Sequence, residues 1–329
     1  MTNKKHLYPL KFDTIFKDKI WGGSKIRDVL GKDFSPLKNC GETWEISGVK
    51  GNLSTVSEGC LKGLTLPEIT AIFKEDFVGQ KCIERYGDEF PLLIKFIDAA
   101  QDLSIQVHPD DKLAMERHNS SGKTEMWYIV DAEKDAQLIS GFGHDTSKAE
   151  YLESIKNGKL KDLLNFEVVE TGDSFYMPSG RIHSIGKGLL VAEIEQSSDV
   201  TYRIYDFDRV DSEGKKRELH TEAAIDAIDF KAYDNYKNEA DNRQNKVTCL
   251  ATSKYFEVNL LNFSNEIIRK HHDKESFIIY VCVEGEAEIT TLKHSTKIKK
   301  GNAVLIPKKF PEIHIRTNSS FKLLETYLP

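Results

Sequence analysis

The segment GDSFYMPSGRIH, residues 172–183, decides the fold. Gly172 and Pro178 enclose a short run of apolar and aromatic residues, and Gly180 opens the turn that leads to His183. A strand bounded by glycine and proline is typical of compact β structure. The four residues of the pattern Gly-x5-Pro-x-Gly-x2-His occur here without a gap.

This spacing resembles the second signature motif of the cupins, which are small double-sheet jelly rolls. The resemblance implies that His183 lies on a strand and faces the interior of the barrel. The first cupin motif is expected upstream, and its candidate is Gln106-Val107-His108. Residues two apart share one face of a strand, so Gln106 and His108 point the same way. The next predicted strand begins with the same alternation, at Lys123 and Glu125.

These side chains suggest a metal site. Gln106, His108, Glu125 and His183 form a set of two nitrogen and two oxygen donors. Zinc commonly accepts such donors, although iron, manganese and cobalt also bind imidazole and carboxylate. An isolated histidine is more often structural, and we place four in that class: His118, His144, His220 and His294. The case for Glu125 depends on its alternation with Lys123 and its place between the two motifs.

A third polar group follows in SDVTYRIYD, residues 198–206. On a strand, Asp199, Thr201 and Arg203 share one face, and the opposite face is apolar. Arg203 can point at an anionic substrate, or it can pair with Asp199 on a solvent-facing edge. Residue chemistry alone leaves both interpretations open.

Together these segments resemble the type I mannose-6-phosphate isomerase family in its short bacterial form. The matching segments follow the family's order between residue 7 and about residue 230. They are WGG (21–23), GETWEIS (41–47), PLLIK (91–95), QVHPD (106–110), KTEMW (123–127), PSGRIH (178–183) and SDVTYR (198–203).

The resemblance implies a zinc-dependent enzyme that interconverts mannose 6-phosphate and fructose 6-phosphate through a cis-enediol. It implies one zinc per chain, with four ligands: Gln106, His108, Glu125 and His183. By the same resemblance Arg203 is the active-site arginine, and Lys123 and Asp199 line the same pocket as catalytic candidates. The group that moves the proton and the groups that bind the phosphate stay open.

Around the motifs the hydrophobic period is mostly two, which predicts a mainly β chain. Strands are predicted at 90–99, 103–109, 125–132, 174–179, 188–196 and 200–207, and helices at 63–87, 110–119 and 146–165. The segment 231–246 has no large aliphatic residue and is predicted to be a linker.

We therefore expect two cupin-like jelly-roll β-barrels. The first, residues 1–235, carries the metal, the catalytic residues and helical insertions. The second, residues 236–329, is expected to lack a metal, because seven residues separate Pro307 from His314 against five in the first motif. A second metal at His271, His272 or His314 is the minority hypothesis.

Composition limits the partners. The chain has 329 residues, with 46 Lys+Arg against 52 Asp+Glu and a net charge of −6, so it has no bulk attraction to nucleic acid or an anionic membrane. No apolar run reaches the roughly 20 residues of a membrane span, and no apolar leader follows the N-terminus, so we expect a cytoplasmic protein. Five scattered cysteines without a CxxC pair are read as reduced thiols. The expected partner is a small sugar phosphate, and the oligomeric state stays open.

Two other functions compete with the isomerase. Another metal-dependent cupin enzyme, such as an oxygenase or a different sugar isomerase, would share the fold. Oxygenases favour histidine-rich ligand sets, and Gln106 stands where a histidine would be expected. A non-catalytic sugar-phosphate sensor would bind without turnover, but a pure binder need not keep Lys123, Asp199 and Arg203 together.

Overall fold

The computed structural model describes residues 5–210, 213–239 and 241–329, and it is mainly β, as predicted. The strands before residue 210 are β1 (Ile15–Lys17), β2 (Glu42–Ser47), β3 (Leu92–Ala99), β4 (Ile105–Val107), β5 (Glu125–Ala132), β6 (Gln137–Phe142), β7 (Leu164–Val168), β8 (Ser174–Met177), β9 (His183–Ile185), β10 (Leu189–Gln196) and β11 (Tyr202–Tyr205). The later strands are β12 (Lys246–Thr252), β13 (Glu257–Phe263), β14 (Ile267–Lys270), β15 (Ile278–Thr291), β16 (His294–Lys299), β17 (Ala303–Ile306), β18 (Glu312–Arg316) and β19 (Phe321–Tyr327).

Short helices connect the strands of the first part. They are α1 (Lys25–Asp28), α2 (Leu66–Phe73), α3 (Glu75–Val78), α4 (Gln80–Tyr86), α5 (Asp111–His118), α6 (Lys148–Lys156), a 3-10 helix (Leu160–Leu163) and α7 (Thr221–Ile225). No helix in the described ranges is long and apolar enough to cross a membrane.

The strands form three antiparallel sheets. A six-stranded sheet has the order β1-β2-β3-β10-β5-β8, and a five-stranded sheet has the order β11-β4-β9-β6-β7. An eight-stranded sheet follows the order β12-β13-β19-β15-β18-β14, with β16 and β17 also paired to β15. The first two sheets use only strands before residue 210, and the third uses only strands after residue 245.

The six-stranded sheet is buried on both faces, which explains the unbroken apolar runs of β3 and β10. One face, with Ile94 and Ile194, shares a core with Tyr280 and Leu324 of the eight-stranded sheet. The other face packs against the five-stranded sheet through a second core. That core includes Ile97, Trp127, Phe175, Val191, Leu138 and Ile185.

Helices α6 and α7 and the 3-10 helix cover the remaining face of the five-stranded sheet. Ile105 and Val107 of β4 pack there against Tyr151 of α6, Leu163 and Ala224 of α7. The resulting stack has three sheets, with these helices on the outer face of the five-stranded sheet, whereas α1 to α4 pack into the core shared with the eight-stranded sheet. The predicted metal ligands belong to the strands on both sides of the second core.

The predicted helix at 63–87 is three helices in the structure. The chain turns at Lys74, with φ 45°, and again at Gly79, with φ 90°. A Cβ atom at Gly79 would lie 2.3 Å from the carbonyl oxygen of Glu275, so the break lets the backbone approach the eight-stranded part closely. Sequence periodicity shows the apolar face of this region but not the contact that interrupts it.

The helix predicted at 146–165 begins where expected. Ser147 accepts a hydrogen bond from the backbone N–H of Glu150 at 3.1 Å, as an N-cap does. The helix ends at Lys156, and Gly158, with φ 67°, lies between it and the 3-10 helix. The helix predicted at 110–119 is α5, capped by Asp110.

The predicted linker is held against the first part of the chain over its described residues 231–239. Tyr236 is buried and donates its hydroxyl to the carbonyl oxygen of Phe142 at 2.8 Å. Its ring fills the space over Gly141, where a Cβ would lie 2.5 Å from the Tyr236 oxygen. The low aliphatic content of this segment therefore indicates a polar connection, and buried Tyr236 anchors it to the first part of the chain.

A buried ionic cluster lies in the eight-stranded sheet. Glu325 of β19 is 0% exposed and receives two hydrogen bonds from Arg269, at 2.9 and 2.6 Å. His271 lies 3.1 Å from the same carboxylate, and Tyr280 donates to it at 2.8 Å. His314 belongs to a different cluster on β18, between two surface glutamates. Two of the histidines named in the minority metal hypothesis, His271 and His314, thus pair with different carboxylates.

The surroundings of Glu325 make acid stability a test of this cluster. Burial would raise the pKa of Glu325, but His271 and Arg269 lower it from 4.5 to about 2. The unfolded chain therefore takes up this proton first as the pH falls below 4.5. The stabilisation is complete above that value and is lost towards pH 2, for a total of about 3 kcal/mol.

We expect Glu325→Gln to flatten this dependence. The gap in unfolding free energy between wild type and variant should shrink by about 3 kcal/mol from about pH 5 to pH 2. Urea denaturation at several pH values measures the gap. Parallel stability curves for the two proteins would contradict the assignment.

Candidate active site

Strand register brings the predicted site residues together. In the five-stranded sheet Arg203 of β11 lies opposite Gln106 of β4, and Gln106 lies opposite His183 of β9. Glu125 begins β5 in the facing six-stranded sheet. His108 follows β4 directly, so a single end of the sheet pair presents all four predicted ligands.

The four side chains converge. Glu125 Oε1 lies 3.1 Å from His108 Nε2, and Glu125 Oε2 lies 3.7 Å from His183 Nε2. The Gln106 amide nitrogen lies 3.5 Å from His108 Nε2 and 3.3 Å from His183 Nε2. His108, Glu125 and His183 are buried, and their donor atoms lie within 4.8 Å of one another, as in a site for a metal ion.

The backbone orients both imidazole rings. His108 Nδ1 lies 2.9 Å from the carbonyl oxygen of Val200, and His183 Nδ1 lies 2.9 Å from that of Arg181. A carbonyl oxygen only accepts, so each Nδ1 carries the proton and each Nε2 presents a lone pair. Burial lowers the pKa of His108 to about 3 and also lowers the pKa of His183. Both rings are therefore neutral ligands at neutral pH.

Glu125 is an ionised carboxylate with free acceptor capacity. Burial alone would raise its pKa, but Lys123 and His108 hold the pKa of Glu125 well below its usual range. Neither oxygen receives a well-aligned hydrogen bond from the residues that the structure describes. A buried anion with open lone pairs, facing two imidazole nitrogens, fits a divalent cation.

Gln106 completes the set after one rotation. Its Oε1 accepts a hydrogen bond from Ser104 at 3.3 Å, while its amide nitrogen faces the histidines. Half a turn of the terminal amide would present Oε1 to the same point, and an amide oxygen is the end that ligates. The donor set therefore fits a metal, with Gln106 as the ligand that must turn.

A cavity of about 300 Å³ opens beside these ligands. The three predicted catalytic residues, Lys123, Asp199 and Arg203, all line it. Asp199 is exposed, whereas Lys123 is buried, and its ammonium contacts Glu125 and Glu195. Arg203 lines the cavity together with Gln106 and His183, which favours the pocket interpretation of this face over the solvent-edge one.

Arg203 is only partly satisfied. One terminal nitrogen donates to the carbonyl oxygen of Glu218 at 2.9 Å. Its Nε has no hydrogen-bond partner within the described ranges. Burial and the neighbouring Arg217 lower the pKa of Arg203. Arg217 also lines the cavity, so this wall favours an anionic ligand.

Sequence reasoning missed a row of buried charged residues at the wall of the cavity. Lys95 Nζ lies 3.2 Å from Glu193 and 2.5 Å from Glu195, and Lys123 Nζ lies 2.9 Å from Glu195 and 3.0 Å from Glu125. The signal was available, since Glu193 and Glu195 alternate with aliphatic residues in a strand otherwise apolar. Two glutamates on one buried face require buried cations opposite them.

The carboxylates of this row favour the charged form of both lysines, whereas burial and a neighbouring carboxylate oppose the charge of Glu195. Burial would lower the pKa of both lysines, but Glu195 and the other carboxylates raise them above the usual range. Burial, together with Glu193, raises the pKa of Glu195, and the two lysines oppose that rise. Trp127 adds a hydrogen bond from its indole nitrogen to Glu193 at 2.8 Å.

Comparisons with known proteins agree with this geometry. Residues 9–162 match the family model of the phosphomannose isomerase type I catalytic domain, and residues 245–324 match the mannose-6-phosphate isomerase cupin domain. Mannose-6-phosphate isomerase ManA of Bacillus subtilis is 40% identical, over 91% of this chain and 93% of its own. The chain belongs to the type I phosphomannose isomerase family. The family predicted from the sequence is confirmed.

Other members of the type I phosphomannose isomerase family extend the comparison. The mannose-6-phosphate isomerase of Streptococcus mutans is 37% identical over 91% of this chain and 92% of its own. A crystal structure of a mannose 6-phosphate isomerase from Bacillus subtilis superimposes with a TM-score of 0.87 at 36% identity, covering 97% of this chain and 99% of that one. The matched catalytic domain contains Gln106, His108 and Glu125, whereas His183 and Arg203 lie between the two matched regions.

Proposed function

We propose that this chain is a zinc-dependent mannose-6-phosphate isomerase that interconverts mannose 6-phosphate and fructose 6-phosphate through a cis-enediol. The observation that carries the proposal is the convergence of His108, Glu125 and His183 beside a cavity lined by Arg203. The 40% identity to a mannose-6-phosphate isomerase over 91% of the chain supports the choice of substrate.

The proposed metal ligands are Gln106, His108, Glu125 and His183, with one zinc per chain. A divalent metal held there supplies Lewis-acid polarisation of the sugar oxygens. The two neutral imidazoles and the carboxylate are donors that zinc accepts in catalytic sites. The backbone carbonyls of Val200 and Arg181 fix the rings that would hold it.

Isomerisation moves a proton from C2 to C1 of the sugar and a hydroxyl proton from O2 to O1. Negative charge develops on these oxygens as the C2 proton leaves. Arg203, with a free Nε at the cavity wall, is placed to stabilise that charge. The Lys123 ammonium, held at the same cavity, is placed to donate to it as well. Asp199 offers an exposed carboxylate as a candidate for the proton transfer between the carbons.

We also propose that residues 1–235 and 236–329 are two cupin-like jelly-roll units, of which only the first holds a metal. The separation of the sheets supports this division, because β1–β11 and β12–β19 do not share a sheet. The cupin match at 245–324 falls within the second unit. The cytoplasmic location stays a prediction from the sequence.

A coupled assay of mannose 6-phosphate turnover tests the function directly. We expect turnover in the purified protein, loss after chelator treatment and recovery when zinc is restored. If zinc-loaded protein shows no turnover but still gives a thermal shift with mannose 6-phosphate, the isomerase function is contradicted and the sensor function is favoured. Oxygen consumption with bound iron would favour a different cupin enzyme.

Glu125→Ala tests the ligand assignment. We expect the variant to fall from one metal per chain towards none, because it removes the carboxylate that faces both imidazoles. Elemental analysis after dialysis gives the stoichiometry. Glu150→Ala is the control, since Glu150 pairs with His144 on the surface at 3.2 Å. Full metal retention in Glu125→Ala would contradict the assignment.

Arg203→Ala tests the catalytic role of the arginine. We expect kcat to fall by about 100-fold or more, because a preorganised charge partner of the transition state is lost. Metal content and the melting temperature should change little, since only one hydrogen bond of the side chain is lost. Arg316→Ala, at a surface pair with Glu266, is the matched control. Equal losses of activity, metal and stability would argue against catalysis.

A further inference from the structure

Glu195 bridges two lysines behind the cavity. It is 0% exposed and lies directly opposite Glu125 in the register of β10 and β5. One of its oxygens lies 2.5 Å from Lys95 Nζ, and the other lies 2.9 Å from Lys123 Nζ. A single carboxylate therefore sets the spacing of two ammonium groups that repel each other.

The two lysines reach the cavity and Glu195 does not. Lys95 and Lys123 are among the residues that line it, whereas the carboxylate of Glu195 lies behind them, away from any sugar that enters. Glu195 cannot exchange a proton with substrate carbon from there. Any effect of Glu195 on the reaction therefore passes through the two lysines, which is the role of a positioning residue.

Lys123 depends on Glu195 more than the ion pairs alone suggest. Its ammonium contacts two carboxylates, Glu125 and Glu195. Glu125 is the proposed metal ligand, so its charge is shared with the cation that it holds. Glu195 is then the partner that serves the lysines alone and keeps the ammonium aimed into the cavity.

Lys95, the partner of Glu195 on the side away from Lys123, is also anchored. Lys95 is fixed from its other side by Glu193 at 3.2 Å, and Glu193 accepts the indole hydrogen bond of Trp127. The order Trp127, Glu193, Lys95, Glu195, Lys123 and Glu125 is thus one continuous line of contacts. A rigid line of this kind holds a charge at the end nearest the substrate without reorganisation during the reaction.

We propose that Glu195 is a positioning residue for the isomerisation, which anchors the Lys123 ammonium, with Lys95, at the cavity wall. This role rests on the proposed isomerase function. It predicts that Glu195 affects the chemical step through Lys123 and leaves metal binding unchanged. A purely structural carboxylate would lower stability and leave the chemical step of the folded protein unchanged.

A double-mutant cycle tests the role. In metal-loaded protein we expect Glu195→Gln to lower kcat about 100-fold while KM changes far less, because a misplaced group costs rate at the chemical step. In the Lys123→Met background the same substitution should change kcat by less than about twofold, since the group that it positions is gone. Metal content should stay at the wild-type value in all three variants.

Glu325→Gln is the matched control. It makes the same substitution at an equally buried, doubly paired carboxylate in the other sheet. We expect it to lower the melting temperature and to leave kcat unchanged. If Glu195→Gln fails to fold, Glu195→Asp, which keeps the charge but is one methylene shorter, enters the same cycle with an expected kcat loss of about tenfold.

Two results separate the possible failures. Losses that multiply in the double variant, or a loss of metal that accounts for the loss of rate, would overturn the role of Glu195 alone. Wild-type protein that shows no turnover when loaded with zinc would overturn the proposed function, and the positioning role with it.

Discussion

The ion pairs along the face of the six-stranded sheet that bears Lys95, Glu195 and Glu125 constrain the rest of the site. Lys95, Lys123 and Glu195 are each buried, and a buried charge left without a partner costs several kcal/mol. Each of these charges therefore has its position set by the next one in the line. The line ends at Glu125, so the orientation of the proposed ligand is fixed by electrostatics and by strand register together.

The second part of the chain helps to hold this arrangement. Tyr255 donates its hydroxyl to Asp111 at 2.6 Å, and Asp111 accepts a hydrogen bond from the Gln196 side chain at 3.1 Å. Gln196 in turn accepts the backbone N–H of Thr124 at 3.0 Å. Thr124 stands between Lys123 and Glu125, so a residue near the eight-stranded sheet restrains the backbone that carries both.

The sequence predicted the parts of the site that local spacing encodes. Glycine, proline and period-two alternation placed Gln106, His108, Glu125 and His183 on strands or at their ends, the family resemblance implied that they are ligands, and the structure brings their side chains together. The mainly β class followed from the same periodicity. These features depend on neighbours along the chain, which is why one sequence suffices.

The rest depended on contacts between distant segments. Lys95 and Glu195 read as unpaired charges in mostly apolar strands until β3 and β10 are paired. The break of the 63–87 helix at Gly79 required the approach of Glu275 from the far end of the chain. The direction of Arg203 was ambiguous because either face of an isolated strand is open to solvent.

The double burial of β3 and β10 limits how the protein can move. A core shared between the six-stranded and eight-stranded sheets runs across the boundary of the two proposed units. Rotating one unit on the other would shear that core and expose apolar surface, so a hinge between them is disfavoured. Entry and exit of a ligand then fall to the rim of the cavity, where Asp199 is exposed and the partly exposed Arg217 is held by Asp206.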